Sequence, residues 1–140
     1  MAMTIGVDRV EGDPPVAVVS LDGELDASNY EQVIDAVRQA YAGGARGLVF
    51  DMSGLTFMAS SGLFALHSAV RIMRGETPPD PESGWGALHE LSADHDADGG
   101  SVWIAGAQEA IARVLERTGM NRLFGMSDSR DDAVAAIQGA

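Results

Sequence analysis

The segment LVFDMSGLTFMASSGLFAL, residues 48–66, decides the fold. Its opening belongs to Arg46–Asp51 (RGLVFD), a short apolar run bounded by Gly and polar residues, the pattern of a buried strand that ends at Asp51. Its close begins a helix: Leu63, Leu66, Val70 and Met73 recur at helical spacing, Arg71 and Arg74 fall in the last turn, and Gly75 marks the stop. The helix starts near Ser60-Ser61-Gly62, and Thr56-Phe57-Met58-Ala59 reads as a short loop before it. Two hydroxyls therefore sit at a helix N-terminus, where unpaired amides face outward and the dipole end is positive. That setting accommodates a phosphate. It equally suits an ordinary N-cap serine, and the residues alone leave both readings open.

Outward from this segment the same rhythm repeats. Val16–Leu21 (VAVVSL) is a β-branched strand, and the weaker alternation of Ile5–Val10 pairs with it as a hairpin across Gly12-Asp13-Pro14-Pro15. Ser28 with Glu31 predicts a capping box for a first helix carrying Val33, Ile34, Val37 and Tyr41, closed by Gly43-Gly44. Ser101–Ala105 predicts a fourth strand, and Glu109–Thr118 a helix with Ile111, Val114 and Leu115 on its face and Gly119 as cap. Leu123-Phe124 reads as a strand stub and Asp131–Ile137 as a final short helix. The order β-β-α-β-α-β-α-(β)-α predicts an α/β fold with a mainly parallel sheet of four to five strands and an N-terminal hairpin strand.

Composition narrows the function. A chain of 140 residues that is 46% hydrophobic is long enough for one domain with a real core, expected over 1–140. There is no Cys, which removes disulfides, thiolate metal sites and a thiol nucleophile. All nine basic residues are Arg; without Lys there is no Schiff base and no P-loop lysine. A net charge of −12 argues against direct nucleic-acid binding. The N-terminal MAMTIGVDRVEGD lacks the apolar stretch of a signal peptide, and no apolar run reaches the length of a membrane span. A cytoplasmic protein with no membrane insertion is expected.

The connection Gly75–Gly100 breaks the rhythm. It holds seven acidic residues and no Arg, and reads as an acidic insert between the second helix and the fourth strand. Asp94, Asp96 and Asp98 with Gly99 match half of an EF-hand loop, but position twelve is Ala105 and a strand follows. A solvated turn is the expectation, with weak calcium binding left open, and no metal or cofactor is assigned. Enzyme readings fare worse. A nucleophile elbow at Ser60 has Met58 where its first Gly belongs. His67 lies two helical turns along the same helix, too far to act as its base, and is read as a surface or packing residue. A phospho-receiver reading of Asp51 fails for want of lysine. No catalytic residues are expected; Asp51 is expected to fix its loop by accepting backbone N–H bonds.

With these residues in view, the chain resembles the STAS domain family, the modules found in sulfate transporters and anti-sigma factor antagonists. Asp51-Met52-Ser53-Gly54 and Phe57-Met58-Ala59-Ser60-Ser61-Gly62-Leu63 match its D-x-S, apolar loop and D-S-S-G-L pattern, and Gly23-Glu24-Leu25-Asp26 matches its G-x-L-D. The resemblance implies a STAS-type fold and an anti-anti-sigma partner switch. The first Ser of the pair, Ser60, would be phosphorylated by a serine kinase that is also the anti-sigma factor, with Ser61 as the fallback acceptor. The unphosphorylated form would bind that kinase, and a serine phosphatase would restore it. Asp26, Asp51 and Gly62 would support the switch loop, and Leu55, Phe57, Met58 and Ala59 would face the partner, with a plain core role for Leu55, Phe57 and Met58 as the alternative. One departure stands out: Ala59 occupies the place of the family's Asp. That change, together with the insert, keeps open a second reading, a non-phosphorylated binding or scaffold module or an accessory subunit of a transport or signalling complex.

Overall fold

The computed structural model describes residues 3–76 and 102–139. Five strands form one sheet in chain order: β1 (Met3–Val10), β2 (Val16–Leu25), β3 (Gly47–Met58), β4 (Val102–Ala105) and β5 (Gly125–Ser127). β1 runs antiparallel to β2 as the expected hairpin, and β2 through β5 are parallel. The helices are α1 (Tyr30–Ala42), α2 (Ser60–Met73), α3 (Glu109–Thr118) and α4 (Arg130–Gly139), with a 3₁₀ turn at Met120–Leu123. The α/β expectation with a mainly parallel sheet holds.

Pattern explains the layers. β2 is apolar on both sides: Ala17, Val19 and Leu21 join the larger core with α1, α2 and α3, while Val16 and Val18 join a smaller one with Ala133 of α4. Burial on both faces is why this strand reads as a continuous apolar run rather than an alternation. Each such side chain contributes roughly 1.5–3 kcal/mol on full burial. Helix α3 carries Ile111 and Leu115 inward and ends where Gly119 adopts φ +76°, the left-handed conformation that glycine takes without strain.

Three sequence expectations shift. β3 does not end at Asp51 but continues to Met58, so Thr56–Met58 are strand rather than loop. Its pairing with β2 slips twice, between Ser20/Asp22 and between Gly23/Glu24, and each slip gives β3 one extra residue. Such bulges break the period-2 alternation that would have identified the strand. At α1 the cap is Asn29; the Ser28 hydroxyl donates to Asp26 Oδ1 instead of opening a capping box. Finally, Leu123 belongs to the 3₁₀ turn and the last strand starts at Gly125.

Candidate functional site

β2 and β3 end together, with Leu25 paired to Met58 beyond the level where β4 and β5 stop, and α1 and α2 begin at that end. The β2-to-α1 junction is tied by side chains. Asp26 N–H donates to Asn29 Oδ1 at 2.9 Å, and Asn29 Nδ2 donates to the Glu24 carbonyl at 2.8 Å. The Ser28 amide and hydroxyl both donate to Asp26 Oδ1, at 2.9 and 2.6 Å. The Ser28 hydroxyl, followed by the Ser28 amide, holds the Asp26 carboxyl below its ordinary value by hydrogen bonding to the charged form.

The β3-to-α2 junction is built differently. The Ala59 amide donates to the Leu25 carbonyl at 2.9 Å, which anchors the chain to β2. Ala59 is the N-cap and has no side chain able to accept from the first turn. Ser60 is therefore the first helical residue, not the cap, and is exposed. Its hydroxyl bonds to none of the described residues. Ser61, one position on, is buried, and its Oγ also lacks a partner among the described residues. Gly62 packs where a Cβ would come within 2.5 Å of Met58 Cγ and 2.9 Å of Leu25 Cγ. A glycine is what lets α2 start this close to the ends of β2 and β3.

The four apolar residues expected to face a partner separate. Leu55 and Met58 are buried in the larger core, Ala59 is half-buried, and Phe57 is 49% exposed. The bulges are the reason: they turn Leu55 and Met58 inward and leave Thr56 and Phe57 consecutively outward. Leu55 and Met58 thus support the loop from beneath, and the accessible apolar group is Phe57.

Asp51 does fix its turn, accepting from the Ser53 amide at 3.1 Å and the Ser53 hydroxyl at 2.8 Å. It also meets a residue that the sequence reading passed over. Arg130, the first residue of α4, donates Nε to Asp51 Oδ2 at 3.0 Å and Nη1 to Asp8 Oδ2 at 3.1 Å, and Nη2 to the Ser20 hydroxyl. One guanidinium so joins β1, β2 and β3. Burial pushes the Asp51 carboxyl up, but the Ser53 and Arg130 hydrogen bonds outweigh it and hold the group below its usual value. The hydrogen bond to Asp51 raises Arg130 above its already high value. The signal for Arg130 lay in the sequence: a cation at a helix N-terminus opposes the dipole, so it needs a carboxylate elsewhere.

Helix α2 behind Ser60 is buried almost throughout, including His67 and Ser68. His67 is a packing residue. Among the described residues neither ring nitrogen has a hydrogen-bond partner, and burial, then the Arg71 and Arg74 charges, lower its pKa to about 4. Among the described residues no group of side chains is arranged to hold a metal ion. The calcium expectation at Asp94, Asp96 and Asp98, and the insert from residue 77 onward, lie outside the described residues. No described helix is long and apolar enough to cross a membrane.

The sequence pattern of the STAS domain family matches residues 9–76 and 82–133. The fold is similar to three solved proteins of low sequence identity. An anti-sigma factor antagonist from Mycobacterium paratuberculosis has a TM-score of 0.68 at 23% identity, over 97% of this chain and 94% of that one. A putative anti-sigma factor antagonist from Thermotoga maritima has a TM-score of 0.70 at 15% identity, over 95% and 93%. The Bacillus cell fate determinant SpoIIAA in its phosphorylated form has a TM-score of 0.58 at 19% identity, over 96% and 99%.

Proposed function

The chain belongs to the STAS domain family, and we propose that it is a non-catalytic regulatory module of the anti-sigma factor antagonist type. In this reading it binds a serine kinase that is also an anti-sigma factor, and phosphorylation at Ser60 releases that partner. A serine phosphatase resets the module. The setting is the cytoplasm, with no direct nucleic-acid contact from a chain of net charge −12.

One observation carries the reading: Ser60 is exposed on the first turn of α2 with its hydroxyl unbonded among the described residues, while Ser61 beside it is buried. A kinase acceptor must leave the fold to reach the enzyme, and of the two hydroxyls Ser60 meets that demand. Phosphorylation adds about −1.5 to −2 charges. The first-turn amides and helix dipole stabilise that charge from within, so the fold need not change. A partner packed over Ser60 and Phe57 would have to desolvate the dianion, and that penalty ejects it. The phosphorylated form of SpoIIAA, on a similar fold, is consistent with such a site.

Incubation with the cognate kinase and ATP, followed by mass mapping, tests the acceptor: modification is expected at Ser60. Ser60→Asp should weaken kinase binding by at least about tenfold, or roughly 1.4 kcal/mol, while Ser60→Ala binds as the unmodified chain does. Equal binding by both variants, with no modification, favours the second reading, a constitutive binding or scaffold module. The observation on its side is Ala59, which puts no carboxylate next to the acceptor.

A further inference from the structure

We infer that the open sheet face carrying Phe57, Asp22 and Glu24 docks a cationic side chain of the partner kinase, seated on the Phe57 ring beside the two carboxylates. The inference rests on the partner-binding reading above and adds the contact chemistry that the partner must supply.

Helix α4 covers one face of the sheet only in part. Ala133 packs with Val16, Val18, Val49 and Ala105, and Arg130, where α4 begins, reaches Ser20 and Asp51. β2 and β3 run on beyond that level, and there the face opens to solvent. Asp22 pairs with Gly54, and Glu24 with Phe57. The intervening pairs, Gly23 with Leu55 and Leu25 with Met58, turn to the opposite face, where Leu25, Leu55 and Met58 join the larger core. The pleat therefore brings Asp22, Glu24 and Phe57 to one uncovered surface. Asp22 is exposed, Glu24 is half-buried and Phe57 is 49% exposed. The Asp22 carboxylate lies across Gly54, where a Cβ would come within 2.9 Å of its Oδ1, over the strand that carries Phe57. Glu24 sits opposite Phe57, roughly 4.8 Å away across the strand pair.

These acids differ from their neighbours at the same end of the sheet. Asp26 and Asp51 are engaged by Ser28 and by Arg130. Among the described residues the Asp22 and Glu24 side chains have no hydrogen bond or ion pair, and the Phe57 ring has no aromatic or cationic neighbour. Charge decides the occupant. An aromatic face attracts a cation within about 6 Å of its centroid, and a flanking carboxylate holds the same cation. A second copy of this face would set carboxylate against carboxylate, and a nucleic acid would set phosphate against both. A purely apolar partner would bury two carboxylates unpaired. The surface that fits is a protein's, apolar around an arginine or lysine.

Binding of the cognate kinase to the full, unmodified chain, followed by surface plasmon resonance at low and physiological ionic strength, tests the inference. Asp22→Asn with Glu24→Gln is expected to slow association, weaken binding by about tenfold or more and lessen its salt dependence. Phe57→Leu keeps an apolar side chain without the ring and should weaken binding by roughly three- to tenfold, whereas Phe57→Trp should preserve it. Met126→Gln, at an exposed apolar residue of the far edge strand, should change affinity by less than about twofold. Circular dichroism confirms that each variant is folded. Unchanged affinity in the double acid variant or in Phe57→Leu overturns the inference; if Ser60→Asp still releases the kinase, the partner-binding reading stands without it. Losses in both variants while Ser60→Asp remains bound support the docking surface and overturn the switch. A kinase that does not bind the unmodified chain overturns both.

Discussion

Two strand-to-helix junctions lie side by side at the same edge of the sheet, and they handle their serines in opposite ways. At β2-to-α1, Asp26, Ser28 and Asn29 bond to one another and to the Glu24 carbonyl, so the Ser28 hydroxyl is engaged within the fold. At β3-to-α2, Ala59 caps nothing, Gly62 brings the backbones close, and the Ser60 hydroxyl is left for whatever approaches. A local network makes a turn rigid and chemically closed; its absence keeps a turn available, at a cost in helix stability that the buried length of α2 offsets. Availability, more than residue type, separates the two serines.

The contrast can be broken or sharpened by measurement. The largest effect is expected from the buried body of α2. His67 is neutral in the fold, with its pKa lowered from 6.5 to about 4. Above pH 6.5 it is neutral folded or unfolded and has no pH effect. Between pH 6.5 and 4 the unfolded chain takes the proton first, so stability falls by up to about 3 kcal/mol as pH drops. Urea unfolding across that range should show the slope, and His67→Leu should flatten it. Below pH 4 a loss should begin in that variant as Asp51, whose folded value is depressed, becomes protonated and its hydrogen bonds to Ser53 and Arg130 weaken. Next in size, Gly62→Ala forces a methyl against Met58 and Leu25 and should cost about 1–3 kcal/mol, read as a lower Tm. Asn29→Ala removes two side-chain bonds from the closed junction and should cost about 1–2 kcal/mol in the same assay. Ala59→Asp supplies the missing cap and should add about 0.5–1 kcal/mol, making the open junction resemble its neighbour. Ser60→Ala should change stability by less than about 0.5 kcal/mol, because the hydroxyl bonds to no described residue.

How legible this was depended on the device used. Helix α3 was readable to its ends, because its apolar face and Gly119 are local signals. The hairpin, the parallel order and the start of α2 followed from buried apolar runs and punctuation. The second half of β3 was not readable as strand, since two bulges erase the alternation between Asp51 and Met58. Whether Leu55 and Met58 face a partner or the core was not readable either, because their direction depends on pairing with β2 and not on their own neighbours; both join the core. Ser28 and Glu31 fit a capping box, but Asp26 two residues earlier competes for the hydroxyl and wins. Arg130 was missed because its partners, Asp51, Asp8 and Ser20, are 79, 122 and 110 positions away. The STAS resemblance pointed to Ser60, and the fold supplied what it could not: which of two adjacent hydroxyls reaches solvent.

The guanidinium of Arg130 has a consequence for how the molecule is made. Its three acceptors precede it by 79 positions or more, while the donor opens α4, whose residues are translated after all of them. Until those residues leave the ribosome, the sheet lacks its α4 cover, and the carboxylates of Asp8 and Asp51 stand near one another with no cation between them. The cover of the sheet therefore closes late, with the slow, long-loop contacts forming last.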